Sequence, residues 1–197
     1  MADHVLLDTA GEVRLLAVAK DYHLKGIDIA EQTVGLLRQE GIPAVLRVAG
    51  QSGEGSEYVQ FMGLFKKDDP TQRAEYLSQY AWADFLIHPA RYEAAGIVCG
   101  EAAAFGVPTI TNAIGGLATT VENRVSGVVL PQLSPAEEYA RVVRHYVDHP
   151  QEYLELRRTT RNRYDNVLNW VSAGDRIAEL IRSAVHEHRK ETRKAEL

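Results

Sequence analysis

The chain has 197 residues, enough to bury a substantial core within one domain. Its 22 Lys plus Arg against 27 Asp plus Glu leave a formal net charge of -5, and no basic stripe crosses the body, which argues against a nucleic-acid partner. A single cysteine, Cys99, excludes an internal disulfide, and no run of about 18 apolar residues offers a membrane span.

The N-terminus lacks a basic region followed by an apolar stretch, so it does not read as a signal peptide, and a cytoplasmic location is expected. Residues 1–12 read as an extension or linker. The apolar run 13–19 (VRLLAVA), bounded by Gly11 and Lys20, is too short for a helix and predicts a buried strand. Over 25–40, Ile27, Ala30, Val34 and Leu37 recur at helical spacing until Gly41 and Pro43 end the pattern. Strands are expected at 44–49 and 58–62, separated by a Gly/Ser-rich loop. Asp68, Asp69, Pro70 and Thr71 supply cap and first-turn chemistry for a helix through Trp82. A strand over 84–88 stops at Pro89, and a helix from about Gly96 to Phe105 closes at Gly106. Two short strands follow, at 107–111 and 127–130. From Ser134, read as an N-cap before Pro135, the pattern is wholly helical to the C-terminus.

Strands separated by single helices pair in parallel through right-handed crossovers. The expected fold is an α/β, Rossmann-like doubly wound sheet of about six strands, with ligands at the carboxyl ends of the strands. That domain covers 13–186. The stretch 187–197 is charged with almost nothing apolar, and reads as a frayed helix end or tail.

The segment 83–116 carries the chemistry. A strand ends at Pro89, a turn holds Glu93, Ala94, Ala95 and Gly96, and a helix begins at once. A helix N-terminus presents unpaired amides and a positive dipole end, which suits a phosphate, and small residues let a ligand approach the backbone. Glu93 stands at the lip of that site, where a carboxylate accepts hydrogen bonds from sugar hydroxyls. Glu101 lies one to two turns into the helix, and a carboxylate on a ribose diol is familiar from dinucleotide sites. By themselves, Glu93 could merely complement the helix dipole and Glu101 could be an exposed helical residue.

With its frame (AD, a strand, P, then E-x-x-G, EA, a-x-G-x-P and GG) the segment resembles the C-terminal domain of family 4 glycosyltransferases, which have the GT-B fold. Glu93 and Glu101 match the family's E-x7-E motif. The EAAG form after His88-Pro89-Ala90 looks most like lipopolysaccharide-core glucosyltransferases; Ala94 and Ala95 depart from the commoner EGFG. Lys25 before Gly26 and the first helix matches the lysine that binds the donor diphosphate, with Lys20 as the second basic candidate. A lysine at a helix N-terminus opposes the dipole, a cost that a bound anion would offset. The segment Gly63-Leu64-Phe65-Lys66 is similar to the one that meets the nucleotide base, and Gly115 and Gly116 to the loop near donor sugar and phosphates. The likeness extends through the turn 121–127 and through Leu168-Asn169-Trp170.

The resemblance implies a retaining transferase that moves a hexosyl or N-acetylhexosaminyl group from a UDP- or GDP-sugar to a glycan or glycolipid. Lys25 and Glu93 would be catalytic. Lys20, Phe65, Ala95, Gly96, Ile97, Val98, Glu101, Gly115 and Gly116 would join them in binding the nucleotide sugar. It also implies an N-terminal acceptor domain, absent from this chain or supplied by a partner, and peripheral membrane association of the complete enzyme at the inner face. A nucleotide-sugar-binding module without activity alone, serving a separate acceptor subunit, is the alternative. No Asp-x-Asp pair or His/Cys cluster has ligand spacing, so neither metal nor cofactor is expected. His88, Trp82 and Cys99 read as packing residues.

Overall fold

The computed structural model describes residues 11–195, with side chains through residue 186. Most of the expected N-terminal extension, and the side chains of the charged tail, lie outside the described residues. Six strands form one parallel sheet in the order β3-β2-β1-β4-β5-β6. They are β1 (Val13–Val18), β2 (Ala44–Ala49), β3 (Val59–Phe61), β4 (Phe85–His88), β5 (Thr109–Asn112) and β6 (Gly127–Leu130). Between them run α1 (Ile27–Gln39), α2 (Pro70–Trp82), α3 (Ile97–Ala104) and α4 (Leu117–Thr120), and α5 (Ala136–Asp148), α6 (Pro150–Arg163) and α7 (Trp170–Ala195) follow. This is the Rossmann-like doubly wound fold expected from the alternation.

The strands are short and largely apolar because helices cover both faces of the sheet. Successive side chains point to opposite faces, so Leu15 enters one core and Leu16 the other, as Ile87 and Leu86 do on β4. The first core holds Ile27, Val34 and Leu37 of α1 with Tyr139, Val143 and Tyr153 of α5 and α6. The second packs Tyr76 and Tyr80 of α2 against Ala102 of α3 and Leu117 of α4. A polar clamp joins β1 to β4: Arg14 and the fully buried Asp84 form a salt bridge at 3.1 Å, and the Arg14 amide donates to the same carboxylate at 2.8 Å.

Three details differ from the sequence reading. Helix α4 was not anticipated, since its four residues are too few to show a period. Ser134 is not an N-cap; Pro135 holds that position and the Ser134 hydroxyl donates to the Pro131 carbonyl at 2.8 Å. The C-terminal part is helical as expected, but it is broken in two places that the sequence pattern does not mark. His149 leaves the helical region before Pro150, which disfavours α geometry in the residue preceding it. A π-helical turn (Tyr164–Leu168) then leads to extended Asn169, whose side-chain oxygen accepts the Ser172 amide at 2.9 Å and so starts α7.

Candidate functional site

The sheet order reverses between β1 and β4, so the loops leaving these neighbours part to opposite faces and open a crevice. The two loops are tied together at its floor. Gly26, at φ 70°, starts α1, and a Cβ there would stand 2.1 Å from the Pro89 carbonyl oxygen, so only glycine lets α1 press onto the end of β4. Arg91 adds a fork to Asp28, both contacts at 2.7 Å, and donates a third bond to the His23 carbonyl. That pairing holds the Asp28 carboxyl below its ordinary pKa.

Glu93 is the centre of the crevice. Lys25 Nζ donates to Glu93 Oε2 at 3.0 Å and to the Tyr92 carbonyl at 3.0 Å. His88 Nε2 lies 3.1 Å from the same carboxylate oxygen, and because an ionised carboxylate only accepts, that ring nitrogen carries the hydrogen. The Ala94 amide donates to Oε1 at 2.9 Å. The His88 hydrogen bond and then Lys25 hold the Glu93 carboxyl far below the usual carboxylate range, against a burial effect of opposite sign. His88 does pack, being 2% exposed, but it also grips the carboxylate, a role its sequence context did not show.

Gly115 and Gly116 serve this turn from behind. A Cβ on Gly115, at φ 51°, would stand 1.8 Å from the Glu93 carbonyl, and the Gly116 amide donates to the Ala94 carbonyl at 2.8 Å. Gly96, at φ 68°, turns the chain into α3, which no side chain caps. The Cys99 amide donates to the Gly96 carbonyl at 2.9 Å, and the amides of Ile97 and Val98 are left for a ligand or water. Cys99 is buried in α3, its thiol pushed up to about 12 by desolvation, so it behaves as a small apolar residue.

Around this centre lies a cavity of about 340 Å³. Of the residues expected to bind the nucleotide sugar, Lys20, Lys25, Phe65, Glu93, Ile97 and Val98 line it, together with His88, Lys67 and Tyr76. Ala95, Gly96, Glu101, Gly115 and Gly116 do not. A larger hollow of about 540 Å³ lies between α1 and the β3 side, but its charged lining is Glu31, Glu54 and Glu137 without any basic residue, which repels an anion.

Glu101 joins the cavity through its partners. Its Oε2 accepts from Tyr80 at 2.7 Å and from Tyr76, and Lys67 Nζ reaches Oε1 at 3.1 Å. Lys67 also sits 3.9 Å from the centre of the Tyr76 ring, which in turn packs against Phe65 at 5.8 Å. Asp69 fixes the approach by accepting the Thr71 and Gln72 amides at 2.9 and 3.1 Å, capping α2. Sequence reasoning passed over Tyr76 and Lys67. Tyr76 and Tyr80 are four apart on one helix, a spacing that reads as core packing, and a lysine beside a turn carries no signal of its own.

A wholly parallel sheet whose switch point gathers lysines, an ionised carboxylate and an uncapped helix defines a Rossmann-like domain. Residues 7–163 match the family model described as "Glycosyl transferases group 1", and the chain belongs to that family. It is 30% identical over 197 residues to the D-inositol 3-phosphate glycosyltransferase of Thermobifida fusca, a match that covers 95% of this chain and 44% of that protein. Among solved structures, Anabaena Alr3699/HepE in complex with UDP-glucose superposes with a TM-score of 0.69 at 19% identity, over 88% of this chain and 50% of that one. WaaG, a glycosyltransferase involved in lipopolysaccharide biosynthesis, gives 0.62 at 24% identity, over 80% and 44%. These two likenesses concern the fold, which is GT-B-like and corresponds to about half of each matched chain. The chain thus spans about half the length of the relatives it matches.

Proposed function

We propose that this chain is the donor-binding domain of a retaining, family 4 glycosyltransferase that uses a UDP- or GDP-sugar. The observation that carries the reading is the Lys25–Glu93–His88 cluster at the β1/β4 switch point, beside the uncapped start of α3. A nucleoside diphosphate there meets positive charge from Lys25 and Lys20 and the free amides of Ile97 and Val98. These groups stabilise the charge that gathers on the departing diphosphate, so the chemistry calls on no metal or cofactor. Glu93, kept ionised and aimed by three donors, accepts from the hydroxyls of the transferred hexosyl or N-acetylhexosaminyl group. Glu101 accepts from the ribose, and Phe65 gives the base an apolar wall. A uracil base has the support of the UDP-glucose named for the similar HepE structure.

A second Rossmann-like domain, of the size by which the relatives exceed this chain, would bring the glycan or glycolipid acceptor over the cleft. The complete enzyme would then work in the cytoplasm, at the inner face of the membrane where the acceptor is a lipid. Among the described residues, no helix is long and apolar enough to cross a membrane.

A thermal-shift titration with UDP, GDP, ADP and their sugars tests the reading. Binding stabilises the folded state by about 2.7 kcal/mol at a ligand concentration of 100 Kd, so the preferred nucleotide gives a clear rise in melting temperature. Glu101→Ala should weaken nucleotide binding, and Lys25→Ala should slow transfer by the completed enzyme. No shift with any nucleotide, or unchanged affinity in Glu101→Ala, overturns it.

A further inference from the structure

The Glu101 carboxylate is held more closely than a group waiting for a ligand needs to be. Its Oε2 has the Tyr80 hydroxyl at 2.7 Å and the Tyr76 hydroxyl beside it, while the two hydroxyls are themselves 2.7 Å apart. Two hydroxyl protons serve three short contacts, so Oε2 receives one or both of them and keeps at most one free lone pair. Tyr80 is fully buried, stacked on Phe105 at 5.8 Å and edge-on to Tyr76 at 5.4 Å, which fixes the direction of its hydroxyl. Oε1 is different. Its side-chain partner is Lys67, a cavity-lining residue whose side chain is 55% exposed and whose exposed bond is readily exchanged.

We propose that Tyr76 and Tyr80 are positioning residues that lock Oε2 of Glu101 inward and leave Oε1, masked by Lys67 until nucleotide enters, as the acceptor for a single ribose hydroxyl. The proposal rests on the reading of Glu101 as the ribose contact. Without the phenols the carboxylate rotates among several orientations, and ordering it on binding costs affinity. The bulk of the pocket is unchanged by replacing Tyr with Phe, so the effect belongs to the hydroxyls.

The test compares, by calorimetry, the nucleoside diphosphate that binds the wild type most tightly with its 2′-deoxy, 3′-deoxy and 2′,3′-dideoxy forms. For the wild type, one of the two monodeoxy forms should lose about 10-fold or more, as much as the dideoxy form, and the other should bind as the parent does. Tyr80→Phe should weaken the parent nucleotide about 5-fold and leave the dideoxy form unaffected; Tyr76→Phe should do the same, with melting temperatures confirming that both variants are folded. Lys67→Gln should enlarge the ratio between parent and dideoxy forms. Equal weakening of parent and dideoxy forms in both Tyr variants makes the tyrosines merely structural and overturns the proposal, as does an equal loss with both monodeoxy forms. A wild type that binds the dideoxy form as tightly as the parent removes Glu101 from the ribose altogether, and the function proposed above loses that contact with it.

Discussion

At the scale of the residue, two carboxylates at the crevice, Glu93 and Glu101, each gather several donors. Glu93 takes a histidine, a lysine and a backbone amide, and its folded pKa is depressed as a result. A depressed carboxyl contributes stability that is complete above its unfolded pKa, about 4.3, and is lost as pH falls toward the folded value. The stability difference between wild type and Glu93→Gln should therefore be constant, on the order of 1–3 kcal/mol, from pH 6 to 8, and should shrink below about pH 4. Urea unfolding at a series of pH values measures it; a difference that grows toward acid would show that Glu93 does not act as a stabilised anion. Spacing and frame single out both glutamates in the sequence as candidates. The pairing of Glu93 with Lys25 and His88 is not legible there, because Lys25 and Glu93 are 68 residues apart and His88, on the intervening strand, has the look of any buried residue before a proline.

At the scale of the element, helix ends and glycines place these side chains. Gly115 lies so close to the Glu93 carbonyl that Gly115→Ala must push the motif turn away, in a backbone conformation that alanine resists. A loss of about 2–4 kcal/mol is expected, with nucleotide affinity falling alongside melting temperature. Gly35, in the middle of α1, makes the opposite control, because nothing lies within 4 Å of the place a methyl group would take. Gly35→Ala should raise stability by about 0.5–1 kcal/mol by restricting the unfolded chain. Denaturant midpoints of the two variants decide whether close approach, not the loss of glycine as such, is what matters. The strands and the longer helices were readable because each repeats its period several times. The four-residue α4 and the breaks at His149 and Asn169 were not, since they depend on one or two residues against a helical background.

At the scale of the molecule, two features separate what holds this domain from what it offers outward. The Arg14–Asp84 pair stitches β1 to β4 directly below the switch point, and Tyr153 adds a bond to the Asp84 carbonyl at 3.0 Å. Asp84→Ala removes the buried acceptor of the Arg14 amide and guanidinium and should cost about 1–3 kcal/mol in thermal or urea unfolding. Helix α7, by contrast, shows Trp170, Val171, Ile177, Leu180 and Ile181 to solvent at exposures from 58% to 86%. These side chains bury little area within the chain, so the double change Ile177→Gln and Ile181→Gln should move its stability by less than about 0.5 kcal/mol. A large drop in melting temperature would mean that α7 packs where this structure leaves it open.

The sequence by itself determined the parallel α/β architecture and the likeness to glycosyltransferases, because alternation of short apolar runs with amphipathic segments, and a motif within one turn and one helix, are local properties of the chain. Only the tertiary structure decided that β1 lies beside β4, that the glycine pair braces the Glu93 turn, and that two phenols and Lys67 converge on Glu101. Those contacts join residues from separate elements, and their geometry exists only once the strand order has brought the loops of neighbouring strands to one edge of the sheet.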